Sequence, residues 1–283
     1  MYKTLATGPI GVQVPFAEAV DLAARHGFEG IALSLADVQS LGIAETKDLL
    51  QARGVRAALT GVPVNFREDD ATFERDLATL PAFCETMTAV GCMRMVTWIS
   101  PSHPTLGYLE RFKRLAIRTK RMCQVLHRYG MRLGLEYVGP ETSRRGRPNP
   151  FIHSLDGMLG LIASVDEPNL GLLLDAWHWY TARETKEDLL SLSDDLVVAV
   201  HVNDAPAGVP VEEQDDHKRA LPGETGVIDI QAFMEALVEL DYSGPVMVEP
   251  FSDKVRALPP EEAVALTARS LERIWPKDAR GPQ

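Results

Sequence analysis

The chain has 283 residues, of which 45% are hydrophobic and 24% are charged, enough apolar content to bury a large core. Its formal net charge is −11, and its clearest basic segment is only the short arginine-rich loop 144–147. This charge distribution does not indicate the basic groove of a nucleic-acid-binding protein. No window approaches the length of a membrane span, and the first residues lack the apolar segment of a signal peptide.

The cysteines also bear on the compartment. The chain has three cysteines, an odd number, at Cys84, Cys92 and Cys123, and they lack the spacing of a metal site. We therefore expect reduced thiols and a soluble protein of the cytoplasm that contacts neither membrane nor nucleic acid. The acidic balance of the chain favours attraction of a divalent cation.

Short apolar runs alternate with amphipathic segments along the chain, in the order strand and then helix. The predicted strands are 5–12, 30–35, 55–64, 93–99, 131–136, 172–175, 196–201 and 246–249. The predicted helices are 15–26, 44–53, 71–90, 106–129, 154 or 156 to 165, 185–192, 229–240 and 261–275. A long polar connection, 138–150, follows the fifth strand and is interpreted as a loop that faces a substrate. A second long loop, 203–226, follows the seventh strand and is rich in proline, glycine and acidic residues.

Strand and helix pairs repeated eight times predict a single (β/α)8 TIM barrel of the α/β class. Parallel strands need crossover helices, and eight strands close on themselves. The barrel is expected to occupy residues 1–276, with a loose tail at 277–283. An open doubly wound sheet is the alternative, but the first strand lacks the Gly-x-Gly-x-x-Gly turn typical of dinucleotide-binding sheets. In a barrel, the C-terminal ends of the strands converge around one mouth.

The fifth to eighth predicted strands each end in a side chain that can bind a metal ion. These residues are Glu136, Asp175, His201 and Glu249. One carboxylate at a strand end often caps the next helix or pairs with an arginine, which is the structural alternative for each residue taken alone. Four such residues in succession indicate a common site at the mouth of the barrel.

Converging carboxylates raise one another's pKa unless a cation lies among them. An oxygen-rich set with one imidazole suits Mn²⁺ or Mg²⁺ first and Co²⁺ or Zn²⁺ next. Such an ion leaves positions open for neighbouring oxygens of a substrate, so the site predicts carboxylate-mediated proton transfer through a metal-stabilised enediolate. Glu136 and Glu249 are the candidate catalytic pair, because their strands lie on different sides of the mouth.

These residues give the chain a resemblance to the xylose isomerase-like TIM barrels. That superfamily of sugar isomerases and epimerases includes inosose isomerases and dehydratases and the endonuclease IV enzymes. The resemblance covers nearly the whole chain and is most specific from 134 to 251. It implies a homodimer, and it implies that His178, in the Asp-x-x-His turn after the sixth strand, hydrogen-bonds a substrate oxygen. It also implies the same metal ligands and the same two catalytic glutamates, namely Glu136, Asp175, His201 and Glu249 for the metal and Glu136 and Glu249 for proton transfer.

A second motif also resembles this group, His201-Val202-Asn203-Asp204 followed by Arg219 and Leu221-Pro222-Gly223-Glu224. Asp204 and Arg219 are accordingly predicted to contact substrate, Arg219 through a hydroxyl or carboxylate group. The spacing between His201 and Arg219 is longer than in ketose 3-epimerases, which leaves the identity of the substrate open. Trp98 and Trp177, at strand exits, are candidates for stacking on a sugar ring, with packing between strand and helix as the alternative.

The sequence therefore predicts a metal-dependent isomerase or epimerase of a sugar, keto-sugar or cyclitol. A lyase or dehydratase of the inosose or keto-glycoside type would use the same site to expel a leaving group. A non-catalytic sugar-binding barrel is a third interpretation. Asp215 and His217 resemble ligands of a further metal in endonuclease IV, but the third and fourth strands lack the histidines of such a cluster and the net charge disfavours DNA.

Overall fold

Eight parallel strands close into a barrel in the order of the sequence. The barrel is seen in a computed structural model, which describes residues 1–277, and it confirms the predicted fold. Of the predicted tail, 278–283 lies outside the described residues. Closure comes from β8, which pairs in parallel with β1. The strands are β1 (Tyr2–Leu5), β2 (Gly30–Ala32), β3 (Arg56–Gly61), β4 (Arg94–Ile99), β5 (Arg132–Tyr137), β6 (Leu170–Asp175), β7 (Val197–Val202) and β8 (Pro245–Val248).

Helices cover the outside of the barrel between successive strands. They are α1 (Phe16–Arg25), α2 (Leu35–Leu41), α3 (Ile43–Arg53), α4 (Asp70–Ala89), α5 (Tyr108–Arg128), α6 (Leu155–Val165), α7 (Ala176–Thr181), α8 (Lys186–Leu190), α9 (Ile230–Glu239), α10 (Asp253–Arg256) and α11 (Pro260–Ile274). The short helices α2, α7 and α10 were not predicted. Within residues 1–277, no helix combines the length and the apolar character needed to cross a membrane.

The predicted first strand, 5–12, is wrong, because β1 ends at Leu5. The chain turns after it, and Gly11 adopts a φ of 74°, a conformation that glycine allows and that interrupts a strand. Ile10 and Val12 are only 1% and 6% exposed. The apolar pattern therefore recorded burial in a loop and not the continuation of a strand.

The second predicted strand, 30–35, is too long, because β2 ends at Ala32 and a helix begins soon afterwards. The backbone N–H of Ser34 donates to the Asp37 carboxylate at 2.7 Å, and the Asp37 N–H donates to Ser34 Oγ at 3.2 Å. This reciprocal cap satisfies two backbone donors and starts α2. Caps at Ser154 and Asp229 likewise begin α6 and α9 at predicted positions.

Alternate strand residues fill the inside of the barrel below the mouth. Because strand residues two apart face the same side, the residues two positions after this inner layer in each strand face the mouth itself. These are Trp98, Asp175, His201 and Glu249, and Glu136 joins them as the register partner of Trp98 between β4 and β5. The layer below them contains Leu59, Leu173, Ala199 and Met247, with Ala6, Ala32 and Val96 packed against it.

Candidate active site

Glu136, Asp175, His201 and Glu249 converge at the C-terminal mouth of the barrel. Each side chain offers one ligand atom, and these atoms all lie within 4.8 Å of one another. Asp175 ends β6, Glu136 and His201 are the penultimate residues of β5 and β7, and Glu249 follows the last residue of β8. The fold therefore brings together four residues that are up to 113 positions apart in sequence (249 − 136).

The imidazole of His201 faces all three carboxylates. Its Nδ1 lies 3.3 Å from Glu136 Oε1, 3.4 Å from Glu249 Oε2 and 3.7 Å from Asp175 Oδ2. In the described part of the chain, this Nδ1 and Glu136 Oε1 are nevertheless buried without a hydrogen-bond partner. Buried polar atoms without partners are costly. The arrangement therefore fits a cation that both atoms coordinate.

The donor set also fits a divalent ion chemically. Three carboxylates and one imidazole, without a thiolate, form the mixed oxygen and nitrogen set that hard and borderline divalent ions accept. Within residues 1–277, this is the one cluster of at least three His, Cys, Asp or Glu side chains with such convergent geometry. The ligand role of the four residues remains a prediction that the geometry allows.

Arg219 contacts two of these carboxylates directly. Its Nη1 donates to Asp175 Oδ2 at 2.8 Å and to Glu249 Oε2 at 2.9 Å, and its Nη2 donates to Asp216 Oδ1 at 3.0 Å. The Arg219 side chain is 1% exposed, and its guanidinium lies over the rings of Trp177 and Phe251. In this structure Arg219 therefore balances the charge of the predicted ligands and orients them, and its contact with a substrate remains a prediction.

Asp175 is held by donors on both of its oxygens. In addition to Arg219, its Oδ1 accepts from Asn203 Nδ2 at 2.9 Å and from the Trp177 N–H at 2.7 Å. Burial favours the neutral acid, but the charge of Arg219 and the contact with His201 outweigh it and hold the pKa of Asp175 well below its ordinary value. Asp175 is thus anionic at neutral pH and fixed in orientation, as a metal ligand needs to be.

The pKa of Glu136 is shifted in the opposite direction. Burial raises the pKa of Glu136 above that of an ordinary glutamate. Burial opposes a charge on His201, but Glu249, Asp175 and Glu136 outweigh it and raise the pKa of the imidazole well above its ordinary value. The opposite pKa shifts give the two carboxyl groups different roles. Asp175 stays a fixed anion, whereas Glu136 can exchange a proton.

His178 lies in α7, directly beside the cluster, and is 1% exposed. Its Nδ1 accepts the Gly139 N–H at 3.2 Å, and its Nε2 is 3.8 Å from Glu136 Oε2. Only glycine allows this approach, because a Cβ at position 139 would lie 2.5 Å from the carbonyl oxygen of His178. In its neutral form His178 therefore carries its hydrogen on Nε2, as a donor aimed at the site.

The two tryptophans have different surroundings. Trp98 faces the mouth and is 48% exposed, which leaves part of its ring open to a ligand. Trp177 is completely buried and packs beneath the guanidinium of Arg219, 5.2 Å from ring centroid to Cζ. In this structure Trp98 keeps the geometry needed for stacking, whereas Trp177 packs as the structural alternative expects.

Asp204 is completely buried, and its carboxylate is used within its own loop. Its oxygens accept backbone N–H groups from the loop 203–226 and the start of the next segment, namely Ala205, Thr225, Gly226 and Ile228. Asp204 therefore organises the loop that carries Arg219, and its contact with a substrate remains a prediction.

Asp215 and His217 lie in the same loop without forming a ligand cluster. Asp215 Oδ1 accepts the His217 backbone N–H at 3.1 Å, and its other oxygen is 3.3 Å from Lys218 Nζ. The His217 ring contacts Phe251 edge-on. Among the described residues, neither joins a group of three or more ligating side chains.

Asn203 and Asp216 contact the site although sequence reasoning assigned them no role. Asn203 lies two residues after His201, so strand alternation was an available signal that it faces the same side. Asp216 binds both Nε and Nη2 of Arg219, through its backbone carbonyl and its carboxylate. No sequence signal predicts that contact, because it depends on the path of a long loop.

Comparison with known proteins extends these observations. A family model described as xylose isomerase-like TIM barrel matches residues 20–274. A solved xylose isomerase domain protein from Alicyclobacillus acidocaldarius superimposes with a TM-score of 0.88 and 29% sequence identity, covering 97% of this chain and 98% of that chain.

Curated relatives include enzymes of two reaction types. An inosose isomerase of Bacillus velezensis is 20% identical over 264 residues, which is 91% of each chain. A 3-dehydroshikimate dehydratase of Pseudomonas putida is 29% identical over 135 residues, which is 47% of this chain and 21% of the dehydratase. This chain is thus similar over 91% of its length to an isomerase and over 47% of its length to a dehydratase.

Proposed function

The chain belongs to the xylose isomerase-like TIM barrel family, and we propose that it is a metal-dependent isomerase or epimerase of a sugar, keto-sugar or cyclitol. The observation that carries this proposal is the convergence of Glu136, Asp175, His201 and Glu249 within 4.8 Å, with two unpartnered buried atoms among them. The inosose isomerase that is similar over 91% of both chains supports the same reaction class.

We assign the proton transfer to Glu136 and Glu249. When bound, a divalent ion, with Mn²⁺ or Mg²⁺ as first choices and Co²⁺ or Zn²⁺ next, supplies positive charge beside the oxygens on which negative charge develops. Glu136 removes a proton from the carbon next to the substrate carbonyl, since burial raises its pKa and makes it a stronger base than an ordinary glutamate. Glu249 approaches from the other side of the cluster and returns a proton.

The remaining residues orient this pair. Asp175 is kept anionic and fixed by Arg219 and Asn203. His178 presents its Nε2 hydrogen 3.8 Å from Glu136 Oε2, where it can hold a substrate oxygen next to the base. Trp98, across the β4–β5 register from Glu136, is 48% exposed, so part of its ring is accessible to the substrate beside the Arg67 guanidinium that lies over it.

The experiment that tests this function measures solvent exchange. Protein purified without added metal is analysed for metal content, loaded with Mn²⁺, and incubated in D₂O with ketoses, inososes and 3-keto-sugars, while NMR and mass spectrometry follow the products. We expect deuterium at a carbon next to a carbonyl, only with metal, and its loss in Glu136→Gln or Glu249→Gln. Exchange that is unchanged in both variants would overturn the mechanism.

A matched control makes the same chemical change outside the site. Glu213 is a surface residue that pairs with Arg145, and Glu213→Gln should exchange at the rate of the unaltered protein. Circular dichroism of each variant separates lost chemistry from lost folding.

A dehydratase is the second candidate, and the similarity to the 3-dehydroshikimate dehydratase favours it. The same base would then remove a proton next to the carbonyl, and the ion would stabilise the resulting enolate. The hydroxyl group on the adjacent carbon would accept a proton and leave as water. Mass spectrometry separates the two reactions, because dehydration lowers the mass of the product by one water and isomerisation leaves the mass unchanged.

A further inference from the structure

The half of the mouth formed by β3 and β4 carries a second set of chemically active side chains. Val96 packs inside the barrel, so Trp98, two residues later in β4, faces the mouth. Trp98 is the register partner of Glu136, which places it about 5 Å from the ligand strand β5. Whatever binds on Trp98 is therefore about one sugar ring away from the proposed base.

Arg67 lies over this tryptophan in the loop that follows β3. Its guanidinium is stacked 4.5 Å from the ring centroid of Trp98 and 4.4 Å from that of Phe66. Its Nη2 donates to Thr97 Oγ1 at 3.0 Å and to the carbonyl oxygen of Trp98. Within residues 1–277, these bonds go to a hydroxyl and a carbonyl, so no carboxylate neutralises Arg67.

Arg111, in the first turn of α5, is a second cation of this kind. It is only 6% exposed, its guanidinium lies 4.3 Å from the ring centroid of Phe151, and its Nη1 donates to the carbonyl oxygen of Ser102 at 2.7 Å. Burial and the nearby charge of Arg67 lower the pKa of Arg111 to about 10. Arg67 and Arg111 thus donate to backbone carbonyls of Trp98 and Ser102, four residues apart at the exit of β4, and over residues 1–277 neither has an ion pair.

Neighbouring arginines show that this is a local exception. Arg114 and Arg118, further along α5, both contact the Asp70 carboxylate and donate to the Glu68 carbonyl. The chain as a whole carries a net charge of −11, so acidic partners are plentiful elsewhere. A buried guanidinium without a counter-ion is costly, and an anion bound between two guanidiniums removes that cost through charge-assisted hydrogen bonds.

We propose that Arg67 and Arg111 form a subsite for an anionic substituent of the substrate, a carboxylate or a phosphate, with Trp98 as the surface on which the substrate ring lies. The subsite assigns an acidic keto-sugar or keto-cyclitol as the substrate class, in place of a neutral one. This specificity rests on the proposed function for the reacting end of the molecule, but the binding of the anion itself does not.

Binding to the metal-free protein tests the subsite independently of catalysis. Protein in EDTA is titrated at constant ionic strength with inorganic phosphate, with cyclohexanecarboxylate and with the neutral cyclohexanol, and binding is followed by calorimetry and by the indole NMR signal of Trp98. We expect at least one anion to bind and shift that signal, and cyclohexanol to bind at least 10-fold more weakly. Preference for phosphate indicates a phosphate ester substrate, and preference for the carboxylate indicates a carboxylic acid.

Two variants locate the binding. Arg67→Gln, in an exposed loop, and Arg111→Gln should each weaken the preferred anion at least 10-fold, and Arg114→Gln, which removes the same charge from a paired position on the same helix, should bind as the unaltered protein does. If Arg111→Gln does not fold, Arg67→Gln and Arg111→Lys carry the test. Equal binding of cyclohexanol and both anions, or unchanged anion binding in Arg67→Gln, overturns the proposal.

The active enzyme gives a second readout. For an acidic substrate that turns over, Arg67→Gln should raise KM at least 10-fold with little change in kcat, because the residue binds a group remote from the reacting carbons. A loss confined to kcat contradicts the subsite. Anion binding without any turnover would instead contradict the proposed function and leave the subsite in place.

Discussion

Nη1 of Arg219 lies 2.8 Å from Oδ2 of Asp175, and the two side chains are 1% and 0% exposed. The same nitrogen reaches Glu249, so one buried guanidinium partly neutralises two of the four predicted metal ligands. Breaking a buried pair by removing one partner leaves a charge without compensation, which usually costs about 3–5 kcal/mol. A metal ion would supply that compensation in its place.

Arg219→Gln is therefore expected to destabilise the metal-free protein more than the metal-loaded one. In EDTA we expect the free energy of unfolding to fall by about 3 kcal/mol or more, and saturating Mn²⁺ to restore a large part of it. Denaturant unfolding with and without Mn²⁺ measures both values. Arg145 is 46% exposed and pairs with Glu213 at the surface. Arg145→Gln should therefore change the free energy of unfolding by less than about 1 kcal/mol in either condition. An equal loss with and without metal would contradict the role given to Arg219.

The hydrogen bond from Gly139 to Nδ1 of His178 fixes the tautomer of that imidazole. We expect ¹⁵N NMR of the neutral side chain to show the hydrogen on Nε2, the atom that faces Glu136. His178→Asn should lower kcat/KM about 10- to 100-fold, the effect of losing one buried hydrogen bond to substrate. His127→Asn, at an exposed position at the end of α5, is the control. A hydrogen on Nδ1 would show that the contact with Gly139 does not form.

Glu184 makes stability depend on pH. Burial raises the pKa of Glu184 from 4.5 to about 7, while its carboxylate accepts the Leu155 N–H at 2.6 Å and the Tyr137 hydroxyl. Between these two pH values the folded state binds more protons than the unfolded state, so this residue makes the free energy of unfolding fall as pH rises from 4.5 to about 7.

Glu184→Gln removes this titration and keeps an acceptor for the Leu155 N–H. Relative to the variant, the unaltered protein should lose on the order of 2 kcal/mol between the lower and upper ends of that pH range. Urea unfolding across the range measures the difference, with Glu187→Gln, an exposed neighbour in α8, as control. Parallel pH profiles for the unaltered protein and Glu184→Gln would contradict the assignment.

Gly171 in β6 allows a close approach inside the barrel. A Cβ at this position would lie 2.2 Å from the carbonyl oxygen of Leu196, a backbone atom that cannot move away cheaply. Gly171→Ala should therefore destabilise the fold by about 2–3 kcal/mol or more. Gly160→Ala, in α6 with no atom within 4 Å of the added Cβ, should instead stabilise it by about 0.5–1 kcal/mol. Thermal unfolding of both variants measures the two changes in stability. Similar changes for Gly171→Ala and Gly160→Ala would contradict the steric argument.

The sequence by itself determined the eightfold repeat and the four side chains that converge. Both are local patterns, since an apolar run followed by a polar residue such as Asp175 marks a buried strand and its end within a few positions. Parallel closure then follows from chain connectivity. Local patterns failed where a residue is buried but does not lie in a strand, as at Ile10, which is buried in a turn.

The tertiary structure alone decided what surrounds the four side chains. Arg219 reaches Asp175 from 44 positions away and lies within the loop 203–226, which the buried carboxylate of Asp204 organises. Arg67, in the loop after β3, contacts Trp98 in the neighbouring strand β4, and within residues 1–277 Arg111 has no carboxylate partner, whereas Arg114 on the same helix pairs with Asp70. No local pattern encodes such contacts, because long side chains carried by loops are positioned by the closed barrel and by the packing of the loops on one another.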